Sequence, residues 1–399
     1  MDLQRSPNLR LFRNVFTSVF GLALLLPTAP AQTFTVLHNF GAPGDGYDAE
    51  GGVVMDSKGN LYGVTYEGGS KGDGIAYQLV PNGDGTWTEN DIYDFGSQAG
   101  SFPATTLAFN SKGNLFGGTF LGTIFELIPN NGKWSAVTIS SLVKGEPGAV
   151  VFDAADNFYS PVDGNGPRQQ GSLLTPSKLN QYSTILLYLF TGGQDGGTPN
   201  GPLVFDSSGS LYGTAVQGGL SVGNVFKLTP NQGRPGWHET TLYSFKGSPT
   251  DGATPYAAVV FDSFGNLYGT TTAGGSAGYG TVFELSPNSD RTWTETVLYQ
   301  FQGFQGNDGD YPYGPVTLDS SGALYGTTYG GGPCDCGIVF KLSKSSGGQW
   351  IETILHTFTA RDGSGPSGAL VLDKAGNIFG ATSFGGPYDS GVVFEITPN

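Results

Sequence analysis

The sequence is poor in almost everything that usually carries chemistry. It has two cysteines, three histidines and two methionines in 399 residues, and only 13% of its residues are charged. So few Cys and His exclude a disulfide-dense scaffold and a multi-ligand zinc framework. Basic residues are scarce: 18 Lys and Arg face 33 Asp and Glu, for a formal net charge of −15. Such a surface repels phosphate backbones and anionic headgroups, so nucleic acid is not an expected partner. No G-x-S-x-G, H-E-x-x-H, P-loop or dinucleotide fingerprint occurs, and neither cofactor nor metal is expected. Beyond the first thirty residues no apolar run is long enough to span a bilayer, and no helical i, i+3, i+4, i+7 pattern is sustained.

The one apolar run lies at the start. Arg5, Arg10 and Arg13 precede Val15 to Leu26, and Ala29-Pro30-Ala31 follows. At about twelve residues the run falls short of a transmembrane helix and reads as a secretory signal peptide cut after Ala31. Residues 1–31 hold three Arg and one Asp, so their removal takes the net charge from −15 to −17. The expected location is secreted or periplasmic, with no membrane span after cleavage. Cys334 and Cys336, in GGPCDCG, read as a local loop staple or as free thiols, ahead of soft-metal binding.

Glycine is abundant, at 66 residues, and aromatics reach 13%. They fall in a repeat: VVMDSKGNLYG at Asp56, LAFNSKGNLFG at Asn110, a degenerate VVFDAADNFYS at Asp153, LVFDSSGSLYG at Asp206, VVFDSFGNLYG at Asp262, VTLDSSGALYG at Asp319 and LVLDKAGNIFG at Asp373. The anchors are 54, 43, 53, 56, 57 and 54 residues apart, a period of solenoids and propellers. One period contains four short β-like runs, such as AAVVFD, NLYGTTT, GTVFELSP and TWTETVLYQF, each bounded by turn residues. Four antiparallel strands make a propeller blade. In Asp-x-x-Gly-Asn the carboxylate can accept backbone N–H groups two residues on while Gly takes positive φ, so hairpin-turn chemistry is preferred to a calcium loop.

The first residues after the leader, TFTVLHNF at 33–40, match the fourth strand of a blade, and the final GVVFEITPN matches a third. A ring pairs these two runs and leaves no exposed sheet edge, whereas an open array leaves both unexplained. The expected fold is therefore an all-β, seven-bladed propeller over residues 32–399. Its blades fall at about 50–95, 102–142, 146–190, 199–245, 253–301, 311–358, and 366–398 completed by 33–40.

The ordered strings GNLYGTT, GNVFKLTP and TTLYSF resemble the Gloeobacter/Verrucomicrobia-type (GloVer) tandem repeats of exported bacterial proteins, over nearly all of residues 33–399. The resemblance implies repeats and export, often with a C-terminal sorting or anchoring signal, and no shared catalytic residues. Asn399 directly follows a strand run, so soluble release is expected. Blades two and three depart from the pattern in their loops.

In an up-and-down blade the crossover loops and the loops between strands two and three share one face. That face should gather Asp45, Asp48, Asp195, Asp251, Asp308, Asp310 and Asp362, interleaved with Tyr47, Tyr256, Tyr311 and Tyr313. Carboxylates and phenols suit sugars, whose hydroxyls donate to acids and whose apolar faces stack on rings; they also suit cations, and Asp-Gly equally starts turns. His38, His238 and His356 fall in outer-strand motifs and read as substituted strand positions rather than as a catalytic or metal set. Arg168 is the sole cation of the divergent third-blade rim. The leading expectation is a monomeric binding module for a glycan or other cell-surface ligand. Rivals are a hydrolase or lyase using rim carboxylates, which requires a convergent carboxylate pair of raised pKa in a pocket, and a pure scaffold, which requires a flat rim and a filled channel.

Overall fold

The computed structural model describes residues 32–398, except 97–98, 141–144, 165–169, 177–183, 221 and 232–235. The leader expected at residues 1–31 and Arg168 lie outside the described residues.

The Asp-x-x-Gly-Asn string folds as its chemistry dictates. Asp262 Oδ1 accepts the backbone N–H of Phe264 at 2.8 Å and of Asn266 at 2.9 Å, while Oδ2 accepts the Asn266 amide at 2.8 Å and the Tyr268 hydroxyl at 3.2 Å. Gly265 closes the turn at φ 87°. The same two backbone acceptances recur at Asp56, Asp153, Asp206, Asp319 and Asp373. Asn110 makes them with its side-chain carbonyl.

Each turn joins a two-residue innermost strand to the second strand of a four-stranded antiparallel sheet. In blade five the strands are Val260–Phe261, Leu267–Thr271, Thr281–Pro287 and Trp293–Gln300. Seven such sheets form among the described residues. The second strand carries the glycine of LYG opposite the aromatic of the third, Gly269 against Phe283. A Cβ on Gly269 would collide with the Phe283 ring, so the glycine makes room for the largest core side chain. In blade three Ser160 faces Leu174 at this position.

The core lies between blades. Outside blade two, a phenylalanine ending the outer strand is buried and packs on the ring at the third-strand position of the next blade: Phe95 on Phe125 at 4.8 Å, Phe190 on Phe226 at 4.9 Å, Phe245 on Phe283 at 5.1 Å, Phe301 on Phe340 and Phe358 on Phe394 at 5.2 Å. Phe40 does the same with Tyr77 at 4.9 Å. Phe40 follows Thr33–Asn39, which pairs antiparallel with the last strand, Val392–Thr397, so the ring is closed by the run expected to close it. Next to the axis Gly52 bridges Ala369, and a Cβ on Gly368 would strike the Gly52 backbone. The innermost strands of blades one and seven are therefore in backbone contact.

Three small two-stranded sheets at the crossovers had no counterpart in the expected pattern: Gly46–Tyr47 with Glu67–Gly68, Gly252–Ala253 with Ala273–Gly274, and Gly309–Asp310 with Gly330–Gly331. Cys334 and Cys336 are joined as a disulfide. No described helix is long and apolar enough to cross a membrane.

Candidate functional site

At five blades the crossover into the innermost strand also latches neighbouring blades. Asp48, Phe102, Thr198, Thr254 and Tyr311 all adopt positive φ, between 52° and 63°. Each carbonyl accepts the N–H of a residue at or just beyond the end of its own blade's second strand, at 2.8–3.2 Å. Each N–H reaches a carbonyl of the preceding blade at 2.7–3.0 Å. This turn aims the residues that follow it at the axis.

There they line a cavity of about 590 Å³ to which all seven blades contribute. One arc is aromatic. Tyr313 makes edge contacts with Tyr256 at 5.4 Å and with Tyr329 at 5.6 Å, and Phe384 of blade seven joins the lining while 40% exposed. Glu50 from blade one and Glu146 from blade three bring carboxyls to the lining on either side of blade two, whose Phe120 is 45% exposed. Tyr66 stacks on Phe102 at 5.1 Å beside these acids.

Burial, reinforced by Asp48 and Glu146, pushes Glu50 up to about 7. Burial also raises Asp48 to about 6, against a hydrogen bond from Ser383 and with help from Glu67. Glu146 is raised by burial and by Asp163. At neutral pH this group of carboxyls can therefore both donate and accept hydrogen bonds.

The residues expected on the rim divide into three groups. Tyr256 and Tyr313 line the cavity. The aspartates Asp45, Asp195, Asp251, Asp308 and Asp362 do not converge on it; they cap the crossover turns at the blade junctions. Asp251 accepts Tyr243 Oη and Lys246 N at 2.8 Å and Gly252 N at 2.6 Å. Asp308 accepts Tyr299 Oη at 2.9 Å, Gln302 N at 2.8 Å and Gly309 N at 2.6 Å. Asp195 accepts Tyr188 Oη at 3.0 Å and Thr191 N at 2.9 Å, and Asp362 accepts Thr359 N at 2.7 Å. Asp45 accepts Gly46 N at 2.7 Å and lies 3.2 Å from His38 Nε2.

Of the remaining four, Asp48 stands beside Glu50 and three are scattered on the face. Asp310 is buried in a small crossover sheet, raised to about 6 by burial and by Asp335 and Asp308. Tyr311 and Tyr47 are 42% and 38% exposed. Glu50, Glu146, Tyr66 and Tyr329 were not anticipated. For Glu50 the available signal was the position three before the buried apolar residue that leads into each innermost strand, Glu50, Ala104, Pro147, Asn200, Tyr256, Tyr313 and Ser367, which varies while its flanks repeat; Glu146, Tyr66 and Tyr329 lie outside that position.

The fold is shared with solved propellers. The structure of virginiamycin B lyase from Staphylococcus aureus aligns with a TM-score of 0.60 and 13% identity, covering 92% of this chain and 99% of that one. An extracellular domain assigned to a hybrid two-component system of B. thetaiotaomicron aligns with a TM-score of 0.56 and 14% identity, covering 92% of this chain and 41% of that one. At such identities the likeness concerns architecture alone. A search of curated proteins found no match. The family model of the Gloeobacter/Verrucomicrobia repeat matches residues 118–306 and 240–399. With more than half of its length matched, this chain belongs to the Gloeobacter/Verrucomicrobia repeat family.

Proposed function

We propose that the protein is an exported binding module that takes a glycan in the axial cavity. One observation carries the reading: a cavity of about 590 Å³ is lined by aromatic rings and carboxyls together. Its size lies within the usual span for small-ligand sites, roughly 300–1,000 Å³. The apolar face of a pyranose fits Tyr313 and Tyr329, and its hydroxyls fit Glu50 and Glu146, which accept when ionised and donate when protonated. Export is inferred from the leader pattern of residues 1–31.

Glycan-array screening followed by calorimetry on Glu50→Gln, Tyr313→Ala and Tyr329→Ala tests this. Each variant should weaken binding about tenfold or more, on the scale of buried hot-spot contacts. Wild-type affinity in all three would remove the axial cavity from the proposal.

A second reading is favoured by the raised carboxyls, Glu50 at about 7 beside Asp48 at about 6, which could trade a proton near neutrality in a hydrolase or lyase. It predicts turnover of a bound glycan that Glu50→Gln abolishes while binding persists. Binding without turnover in the wild type rejects it.

A further inference from the structure

The blade junctions repeat a three-residue arrangement. A residue near the end of one outer strand meets the crossover aspartate and a residue of the next blade's outer strand. At three junctions the set is tyrosine, aspartate and glutamate: Tyr188, Asp195 and Glu239; Tyr243, Asp251 and Glu295; Tyr299, Asp308 and Glu352. In each the phenol donates to the aspartate at 2.8–3.0 Å. Burial and the neighbouring carboxylates hold that phenol protonated, so it offers no anionic ligand.

At the seam where the first strand completes the last blade, the same three places hold His38, Asp45 and Glu89. One ligating atom from each lies within 4.8 Å of the others, and His38 Nε2 is 3.2 Å from Asp45 Oδ2. Two ligands held tetrahedrally at about 2.0–2.2 Å from one ion are themselves about 3.3–3.5 Å apart, so this pair already has nearly the spacing required. Glu89 Oε1 is buried without a hydrogen-bond partner, and Asp91 lies close enough to act on both Glu89 and His38. Oε1 of Glu295 and of Glu352 is likewise unpartnered, but at those two junctions the first place is a protonated phenol, where the seam offers an imidazole nitrogen.

The neighbouring junction is an internal contrast. His356 Nε2 lies 3.3 Å from Asp362 Oδ2, but the third place is Phe34, stacked on the imidazole with ring centroids 3.6 Å apart. One nitrogen and one carboxylate remain there, too few for a site.

We propose that His38, Asp45 and Glu89 bind a divalent transition cation of the zinc class, which ties the first strand to blade one and locks the ring. Nitrogen with carboxylate oxygens suits zinc or manganese, whereas calcium and magnesium prefer oxygen-only sets.

Zinc titration of the purified, metal-stripped protein by calorimetry and thermal shift tests the site. His38→Tyr installs the residue that three other junctions carry and should therefore fold, and Glu89→Gln keeps the shape of the side chain it replaces. We expect one zinc per chain with a rise in melting temperature, and affinity reduced about tenfold or more in each variant. His356→Tyr should bind as the wild type does. Failure of the folded wild type to bind zinc, or undiminished binding by His38→Tyr and Glu89→Gln, overturns the proposal.

Discussion

A carboxylate in a crossover loop has two destinies here, and its neighbours decide which. Asp251 is 3% exposed because a phenol eight residues back and two backbone N–H groups converge on it. Replacing it with alanine should leave these buried donors unpaired at a cost of about 1–3 kcal/mol. The expected outcome is a lower melting temperature with glycan affinity unchanged below the transition; loss of affinity at full folding would return Asp251 to the ligand site. Glu50 meets no such set of donors among the described residues, and burial raises it to about 7 instead. At this scale Asp-Gly was readable as a turn or as a site. The outer-strand tyrosine that resolves it was also present in the sequence, but its distance from the aspartate was not.

The pairing of second and third strands rests on glycine opposite an aromatic ring, Gly269 with Phe283. Gly269→Ala places a methyl group against that ring and should destabilise by about 1–3 kcal/mol through overpacking. Blade three shows the compensating combination, Ser160 with Leu174. The double variant Gly269→Ser with Phe283→Leu should therefore lose less than the sum of its single changes. Additive losses in a denaturant-based double-mutant cycle would reject the coupling. The strands and their turns were legible because period-two patterning and turn residues are local. The small crossover sheets escaped because two-residue strands carry no periodicity.

Across the whole ring, buried acids set a pH dependence. Asp48 and Asp310 titrate at about 6, Glu50, Glu239, Glu295 and Glu352 at about 7, and Glu89 at about 8. Each holds its proton more tightly folded than unfolded, where it titrates near 3.8 or 4.5. Their contribution to stability is complete below those unfolded values and is lost as pH rises through 6 to 8. The turn aspartates act oppositely. Asp206, brought down to about 2 because hydrogen bonds from Ser208, Ser210, Lys227 and Tyr212 outweigh its burial, contributes above 3.8 and is lost as pH falls towards 2. His356, lowered by burial, also loses its contribution on acidification. The melting temperature should therefore peak between about pH 4 and 6 and fall by several degrees on going to about pH 8.5. A midpoint that rises over that interval would contradict the assigned protonation.

By itself the sequence determined the architecture: repeat period, strand patterning and complementary terminal runs demand a closed seven-bladed ring, because an unpaired edge is costly and each run supplies what the other lacks. Only the tertiary structure decided which loop residues meet. Glu50 and Glu146 stand 96 residues apart in the chain and become neighbours at the axis through the curvature of the ring. His38 meets Glu89 because consecutive outer strands pack side by side, as they do at the other junctions. A repeat specifies each unit's local bonds, whereas contacts across a ring depend on how the units' angles sum around it, a property that no single unit contains.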